Sequence, residues 1–210
     1  MLGHSLGELV AACLADVFSL ADGLKLVAAR ARLMQECEAG SMAAVLLPEG
    51  ALASRLPPSL EIAAVNAPSI SVVSGPVEAV ARFCEALERE GVGTQRIATS
   101  HAFHSRMMEP ALPGFARVLA GVALHAPRIP VISNATGLPL SPDQATDPRY
   151  WADHVRHPVR FSAGVEHLLS LADPAFVEIG PGSTLSDLIR RHDPAARVFP
   201  VLAPSASGDD

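Results

Sequence analysis

Gly3, Ser5 and Gly7 are the residues of this 210-residue chain whose types and spacing most directly suggest chemistry. They stand in Gly3-His4-Ser5-Leu6-Gly7, and Gly-x-Ser-x-Gly between a strand and a helix forms a nucleophile elbow. Small residues on both sides permit the tight turn, and the serine hydroxyl projects from it. The helical pattern that begins at Leu6 places the Leu6 N–H at the positive end of the new helix, where it can stabilise an oxyanion. The same residues also describe a glycine-rich turn with a helix-capping serine. An elbow ordinarily follows a buried strand, and here only Met1 and Leu2 precede the turn. On the pentapeptide alone both readings stand.

Two other groups of residues carry chemical potential. Arg30 falls among apolar neighbours in Leu26-Val27-Ala28-Ala29-Arg30-Ala31-Arg32-Leu33-Met34. Taken by itself it reads as a solvated arginine, with Arg32 the better surface candidate. His101-Ala102-Phe103-His104 puts two histidines around a phenylalanine at an expected subdomain junction, although a structural role is the commoner one for any single histidine. Cys13, Cys37 and Cys84 are widely spaced, with no Cys-x-x-Cys pair or Cys/His cluster, so they read as free thiols and no metal site is expected.

The elements that must position these residues follow from periodicity. Residues 6–17 predict a helix with an apolar stripe of Leu6, Leu9, Val10, Cys13 and Leu14. Ser19 with Asp22 three residues on caps a second helix over 20–39. Short strands are expected at 42–47, 61–65, 69–74 and 95–98, with a helix over 76–90 that opens on Pro76. That alternation outlines a ferredoxin-like α+β subdomain over residues 41–100. Beyond it come a helix at 107–119, a strand at 130–134, a short helix at 150–155 and a helix at 160–171. A buried strand at 176–179, a helix at 183–191 and a strand at 198–202 complete the pattern, and 203–210 reads as a small, polar tail.

Composition narrows the classes. Hydrophobic residues make up 49% and aromatics 4%, so a sizeable core is expected to be aliphatic and alanine-rich. The net charge of -6 and the lack of any Lys/Arg run argue against a nucleic-acid surface. No apolar run reaches the roughly 18 residues of a membrane-spanning helix, and the N-terminus lacks a signal-peptide pattern, so no membrane partner and a cytoplasmic location are expected.

Several motifs stand in a telling order: Gly-His-Ser-Leu-Gly-Glu at 3–8, Arg-x-Arg-Leu-Met-Gln at 30–35, Val-Asn-Ala-Pro at 65–68 and Val-Val-Ser-Gly at 72–75. His-Ala-Phe-His-Ser at 101–105, Tyr-Trp at 150–151, His-Pro-Val-Arg-Phe at 157–161 and Glu-Ile-Gly-Pro-Gly at 178–182 follow. This series resembles the acyltransferase domain of modular type I polyketide synthases and, more distantly, the malonyl-CoA:acyl carrier protein transacylase of fatty-acid synthesis. The resemblance implies an α/β fold: a partial α/β-hydrolase-like large subdomain (residues 1–40 and 101–202) of parallel sheet flanked by helices, with the ferredoxin-like subdomain inserted. It implies Ser5 as nucleophile, His104 as general base, the Leu6 N–H as oxyanion donor and Arg30 as holder of the malonyl carboxylate. A backbone carbonyl orients the histidine in this family, and His154, four residues before Pro158, is the implied source. His101 and Phe103 go with selection of unsubstituted malonyl units. No bound cofactor is implied. Malonyl-CoA is the substrate, an acyl carrier protein brings the accepting phosphopantetheine thiol, and a ketosynthase is the adjacent domain.

The family's domain also carries a Gly-Gln-Gly-type segment ahead of the elbow, which supplies a second oxyanion donor and has no counterpart here. The chain therefore resembles the C-terminal part of such a domain, and low stability and little transferase activity are expected of it in isolation. A serine hydrolase is the competing enzymatic reading. It requires the order Ser, Asp/Glu, His, which only Asp153 with His154 or His192 can supply. A non-catalytic remnant is the third.

Overall fold

The structure, a computed structural model, describes residues 1–202. It forms two compact units, the first spanning Met1–Gly164 and the second beginning at Val165.

The first unit opens with α1 (Leu6–Leu14) and α2 (Leu20–Gln35). Ser19 caps α2: its Oγ accepts the Asp22 N–H at 3.1 Å, satisfying one of the donors that every helix start leaves over. The inward face of α1 differs from the expected stripe. It buries Glu8, Leu9, Ala11 and Ala12, while Leu6, Val10 and Leu14 are exposed. This helix is apolar nearly all round, so residue size does not reveal which side packs closely; the alanines do. In α2, Leu26, Arg30 and Met34 are buried at steps of four, so Arg30 lies on the inner stripe and Arg32 faces out. The solvated reading of Arg30 is thereby overturned.

Next comes β1 (Ser41–Val45), α3 (Glu49–Ala53), β2 (Glu61–Ala67), β3 (Ile70–Gly75), α4 (Val77–Arg89) and β4 (Thr94–Ile97). The strands form one antiparallel sheet in the order β2-β3-β1-β4, the βαββαβ arrangement of a ferredoxin-like unit. Alternation along the strands gives the sheet two different faces. Ala43, Val45 and Val73 pack with Leu52 of α3 and Val80, Cys84 and Leu87 of α4 in a local core. Met42 opposes Ile97, and Ala64 opposes Val72, on the other face.

A second core gathers α1, α2, a 3-10 turn (Arg106–Ala111), α5 (Leu112–Leu119), α6 (Pro142–Thr146) and α7 (Pro148–Asp153). The expected helix at 107–119 is split into the 3-10 turn and α5 because Pro110 and Pro113 interrupt the hydrogen-bond ladder. The core is not purely aliphatic. Trp151, Phe18 and Phe115 are its largest fully buried side chains, with Trp151 edge-on to Phe18 and its indole N–H on the Ala145 carbonyl at 2.9 Å. The strand expected at 130–134 reduces to a bridge: Ile132 pairs with Leu2 and Pro139 only. The chain there turns at Gly137, whose φ of 73° suits glycine and whose Cα lies too close to Ala163 for any side chain.

α8 (Phe161–Leu169) leads into the second unit, which continues with β5 (Ala175–Pro181), α9 (Thr184–Arg190) and β6 (Arg197–Leu202). β5 and β6 are parallel, and Glu178 of β5 accepts hydrogen bonds from the Leu185 and Ser186 N–H groups at the start of α9. β5 is not the buried strand its apolar run suggests. Parallel strands are usually apolar because helices cover both faces, yet here Val177 is 59% exposed and Ile179 82%.

Candidate active site

The turn before α1 is an elbow in its geometry. Ser5 adopts φ 50° and ψ −110°, a region that costs a non-glycine residue on the order of 1–3 kcal/mol. Ser5 makes no side-chain cap bond to α1, so its hydroxyl is not a helix cap. A Cβ at Gly3 would lie 2.0 Å from the Gly7 backbone, which is why the first glycine is required; a Cβ at Gly7 would itself meet open space. Asn134 holds the turn from outside: its Oδ1 accepts the Ser5 N–H at 2.8 Å and its Nδ2 donates to the Gly3 carbonyl at 2.7 Å. Leu6 begins α1, where its N–H has no acceptor within the helix.

Two side chains converge on the Ser5 hydroxyl. His104 Nε2 lies 2.7 Å from Oγ, and Arg30 donates to the same oxygen at 2.9 Å. His104 Nδ1 lies 2.9 Å from the His157 carbonyl, an acceptor only, so Nδ1 carries the proton and Nε2 presents a lone pair to the serine. That is the tautomer a general base needs. Burial pushes the His104 pKa well below its ordinary 6.5, with His154 and Arg30 lowering it further. The histidine is therefore neutral at physiological pH. It too has a positive φ, 56°.

The structure also corrects the source of the orienting carbonyl. It comes from His157, not His154. The physical reason is Pro158: the residue before a proline is pushed out of helical geometry, so its carbonyl leaves the ladder and can face outward. His154 instead caps the end of α7 and turns its side chain to Glu8, with Nε2 3.2 Å from Oε2, close enough for a charge contact but not aligned as a hydrogen bond.

Arg30 is buried, and burial lowers its pKa to about 10. Its Nε has no hydrogen-bond partner among the described residues, and no carboxylate raises its pKa. A desolvated guanidinium without a counter-ion is costly, and it is suited to a planar carboxylate from outside the chain. The cleft in front of it has a volume of about 570 Å³ and is lined by Ser5, Leu6, Arg30, His101, Phe103 and His104, among others. Met42, Ala64, Val72 and Ile97 bring the open face of the ferredoxin-like sheet to the same cleft. His101 is buried with Nδ1 2.8 Å from Ser100 Oγ, and its ring stacks on Phe103 at a centroid distance of 6.0 Å. His4 bonds Asn66 at 2.8 Å, joining the first motif to Val-Asn-Ala-Pro, and burial lowers its pKa.

Asn134, His157 and Glu8 join the site without a sequence motif that assigns them a role in it. Glu8 is fully buried; it accepts the Asn134 main-chain N–H at 2.8 Å and the Tyr150 hydroxyl, whose pKa is raised by burial and by that carboxylate. A glutamate on the inner side of an apolar helix was the available signal. At the Ser5 hydroxyl the histidine in place is His104, while the His154 side chain turns to Glu8. Among the described residues no group of three or more His, Cys, Asp or Glu side chains is placed to hold a metal ion, and no helix is long and apolar enough to cross a membrane.

A serine–histidine pair at an elbow is the arrangement that serine-nucleophile enzymes use. The chain belongs to the acyl transferase domain family, whose defining pattern matches residues 1–200. It is 38% identical over 191 residues to a phenolphthiocerol/phthiocerol polyketide synthase of Mycobacterium tuberculosis, covering 91% of this chain and 13% of that protein. It is 40% identical over 215 residues to a spectinabilin polyketide synthase system protein of Streptomyces orinoci, covering 99% and 10%. The chain thus spans about a tenth of the length of these curated relatives. Among solved structures, the acyltransferase domain from the second module of the salinomycin polyketide synthase superposes with a TM-score of 0.90 at 40% identity, covering 96% of this chain and 49% of that one. The malonyl CoA-acyl carrier protein transacylase from Coxiella burnetii gives 0.89 at 29%, covering 97% and 67%. The fold is accordingly that of acyltransferase domains, α/β-hydrolase-like with a ferredoxin-like subdomain.

Proposed function

We propose that the chain carries the acyl-transfer centre of a malonyl-CoA:acyl carrier protein transacylase of the polyketide-synthase type. The observation that carries this reading is Arg30: a buried guanidinium that has no carboxylate partner among the described residues and lies 2.9 Å from the nucleophilic oxygen. In a malonyl thioester one methylene separates the reacting carbonyl from the free carboxylate. A carboxylate-binding group must then sit next to the nucleophile, as Arg30 does. A simple esterase has no use for such a cation.

In the first half-reaction Ser5 Oγ attacks the thioester carbonyl while its proton passes to His104 Nε2. The Leu6 N–H stabilises the oxyanion, an interaction worth roughly 3 kcal/mol. The C–S bond breaks, and His104 returns the proton to the departing coenzyme A thiolate. In the second, the phosphopantetheine thiol of an acyl carrier protein gives its proton to His104 and attacks the Ser5 ester. The tetrahedral adduct collapses, and Ser5 regains the proton. Phe103, stacked on His101 at the cleft wall, occupies the space an α-substituent would need, which favours malonyl by no more than about 1–3 kcal/mol per methyl. The work divides between a large subdomain (residues 1–40 and 101–202), which carries Ser5, Arg30 and His104, and the 41–100 subdomain, whose open sheet face lines the cleft. A ketosynthase and an acyl carrier protein are the partners this reading assigns.

The test is transfer itself. Malonyl-CoA, the chain joined to the Gly-Gln-Gly-type segment that precedes the elbow in the family, and a phosphopantetheinylated carrier protein should give malonyl on the carrier thiol, detected by intact mass, with little transfer by the chain alone. No malonyl on the carrier from the joined, folded protein contradicts the proposal.

A further inference from the structure

We propose that Asn134 is a positioning residue for Ser5: its side-chain amide clamps both flanks of the elbow and thereby sets where the nucleophilic oxygen sits. The proposal rests on the reading of Ser5 as nucleophile, not on the identity of the acyl group. Asn134 is 1% exposed, and all four of its polar groups are used. Its Oδ1 takes the Ser5 N–H at 2.8 Å and its Nδ2 gives to the Gly3 carbonyl at 2.7 Å. Its main-chain N–H donates to Glu8 Oε2 at 2.8 Å, and its carbonyl accepts the Arg160 N–H at 2.8 Å. The amide is thus anchored through its own backbone before it reaches the turn.

Ser5 needs such a clamp because its φ of 50° is unfavourable for any residue with a side chain. Released from it, the backbone relaxes and the Cα–Cβ bond swings. Oγ then loses the position from which it meets His104 at 2.7 Å and Arg30 at 2.9 Å. The clamp also engages the Ser5 N–H, leaving the Leu6 N–H as the elbow's donor to an oxyanion. One acceptor and one donor are required at a fixed separation, which an asparagine amide supplies. An aspartate carboxylate offers two acceptors, one of them against the Gly3 carbonyl, with the Glu8 carboxylate close by; its protonated form restores the donor.

The test uses a fluorophosphonate serine probe, whose reaction at Ser5 is independent of malonyl recognition, followed by intact mass on the wild-type chain, Asn134→Ala and Asn134→Asp. Thermal melts run in parallel. Both variants should melt cooperatively and label on the order of 100-fold more slowly at pH 8, the effect expected of displacing a reacting group by about 1 Å. The ratio of Asn134→Asp to wild type should rise at least about tenfold between pH 8 and pH 6, as the carboxyl gains its proton. The titratable groups sharing its surroundings are Glu8 on α1 and Tyr150, Asp153, His154 and His157 on or after α7. These groups and His104 are common to the wild type and the variant, so the ratio isolates position 134. Labelling within threefold of wild type by a folded variant overturns the proposal, as does a ratio flat with pH. Loss of cooperative melting in both variants at both pH values assigns Asn134 a structural role instead and also overturns it. Absence of labelling in the wild type overturns it together with the nucleophile reading. Wild-type labelling without any malonyl ester sinks the malonyl reading alone.

Discussion

Ser5 and His104 share a backbone state that few residues adopt, φ 50° and 56°, yet they are held in place by different kinds of partner. The elbow is held by a side chain, the Asn134 amide, which contacts Ser5 and Gly3. The histidine is oriented by a main chain, the His157 carbonyl. A side-chain clamp depends on residue type, and a carbonyl clamp depends on backbone path. The nucleophile's arm should therefore be sensitive to substitution of its support, whereas the base's arm should tolerate a change of side chain at 157 so long as Pro158 keeps the carbonyl turned out.

The largest effect expected on either arm is at the reacting atoms. Ser5→Ala should abolish the acyl-enzyme seen by intact mass, a loss on the order of 10⁴-fold or more. An ester that persists in this variant would place the nucleophile elsewhere and dissolve the comparison.

A smaller effect concerns protons. The folded-state pKa of His104 lies well below 6.5, so the folded chain binds fewer protons there than the unfolded chain as pH falls through 6.5. The base consequently keeps working through that range: acyl-enzyme formation should stay level as pH drops past 6.5 and decline only well below it. Stability follows the same linkage, present above 6.5 and lost as pH falls toward the folded pKa, with the lowered pKa of His4 adding in the same direction. A rate midpoint at or above 6.5 would mean that His104 is not the buried neutral group described here.

The smallest effect is at the orienting carbonyl. His157→Ala should change the acylation rate by less than about threefold, because the main-chain oxygen remains. A loss comparable to that expected for Asn134→Ala would erase the distinction between the two arms.

The same distinction governs what was legible beforehand. Ser5 announced itself by flanking glycines, the ferredoxin-like strands by short apolar runs bounded by Pro and Gly, and Ser19 by its spacing to Asp22. Arg30 was readable in principle, since Leu26, Arg30 and Met34 fall on one stripe, but charge outweighed position when it was taken alone. A carbonyl has no side-chain signature, so His157 was assigned three residues off; only its place before Pro158 marks it. Asn134 sat at the end of an apolar run that reads as a strand, and nothing local says that its amide reaches across 129 positions to Ser5. The exposed faces of α1 and β5 escape the sequence for a related reason: an apolar run gives the character of an element but not which of its sides is covered.

The central claim is that Arg30 makes this centre selective for an acyl group bearing a free carboxylate. It is tested most directly by offering malonyl-CoA and acetyl-CoA together, at equal concentration, to the wild-type chain and to Arg30→Ala, and reading the Ser5 ester by intact mass. The wild type should carry a predominantly malonyl ester, and in Arg30→Ala the malonyl yield should fall at least about 100-fold with acetyl retained, as expected when a buried charged contact is removed. Equal malonyl and acetyl loading of the wild type, or a malonyl yield unchanged by the substitution, would contradict it.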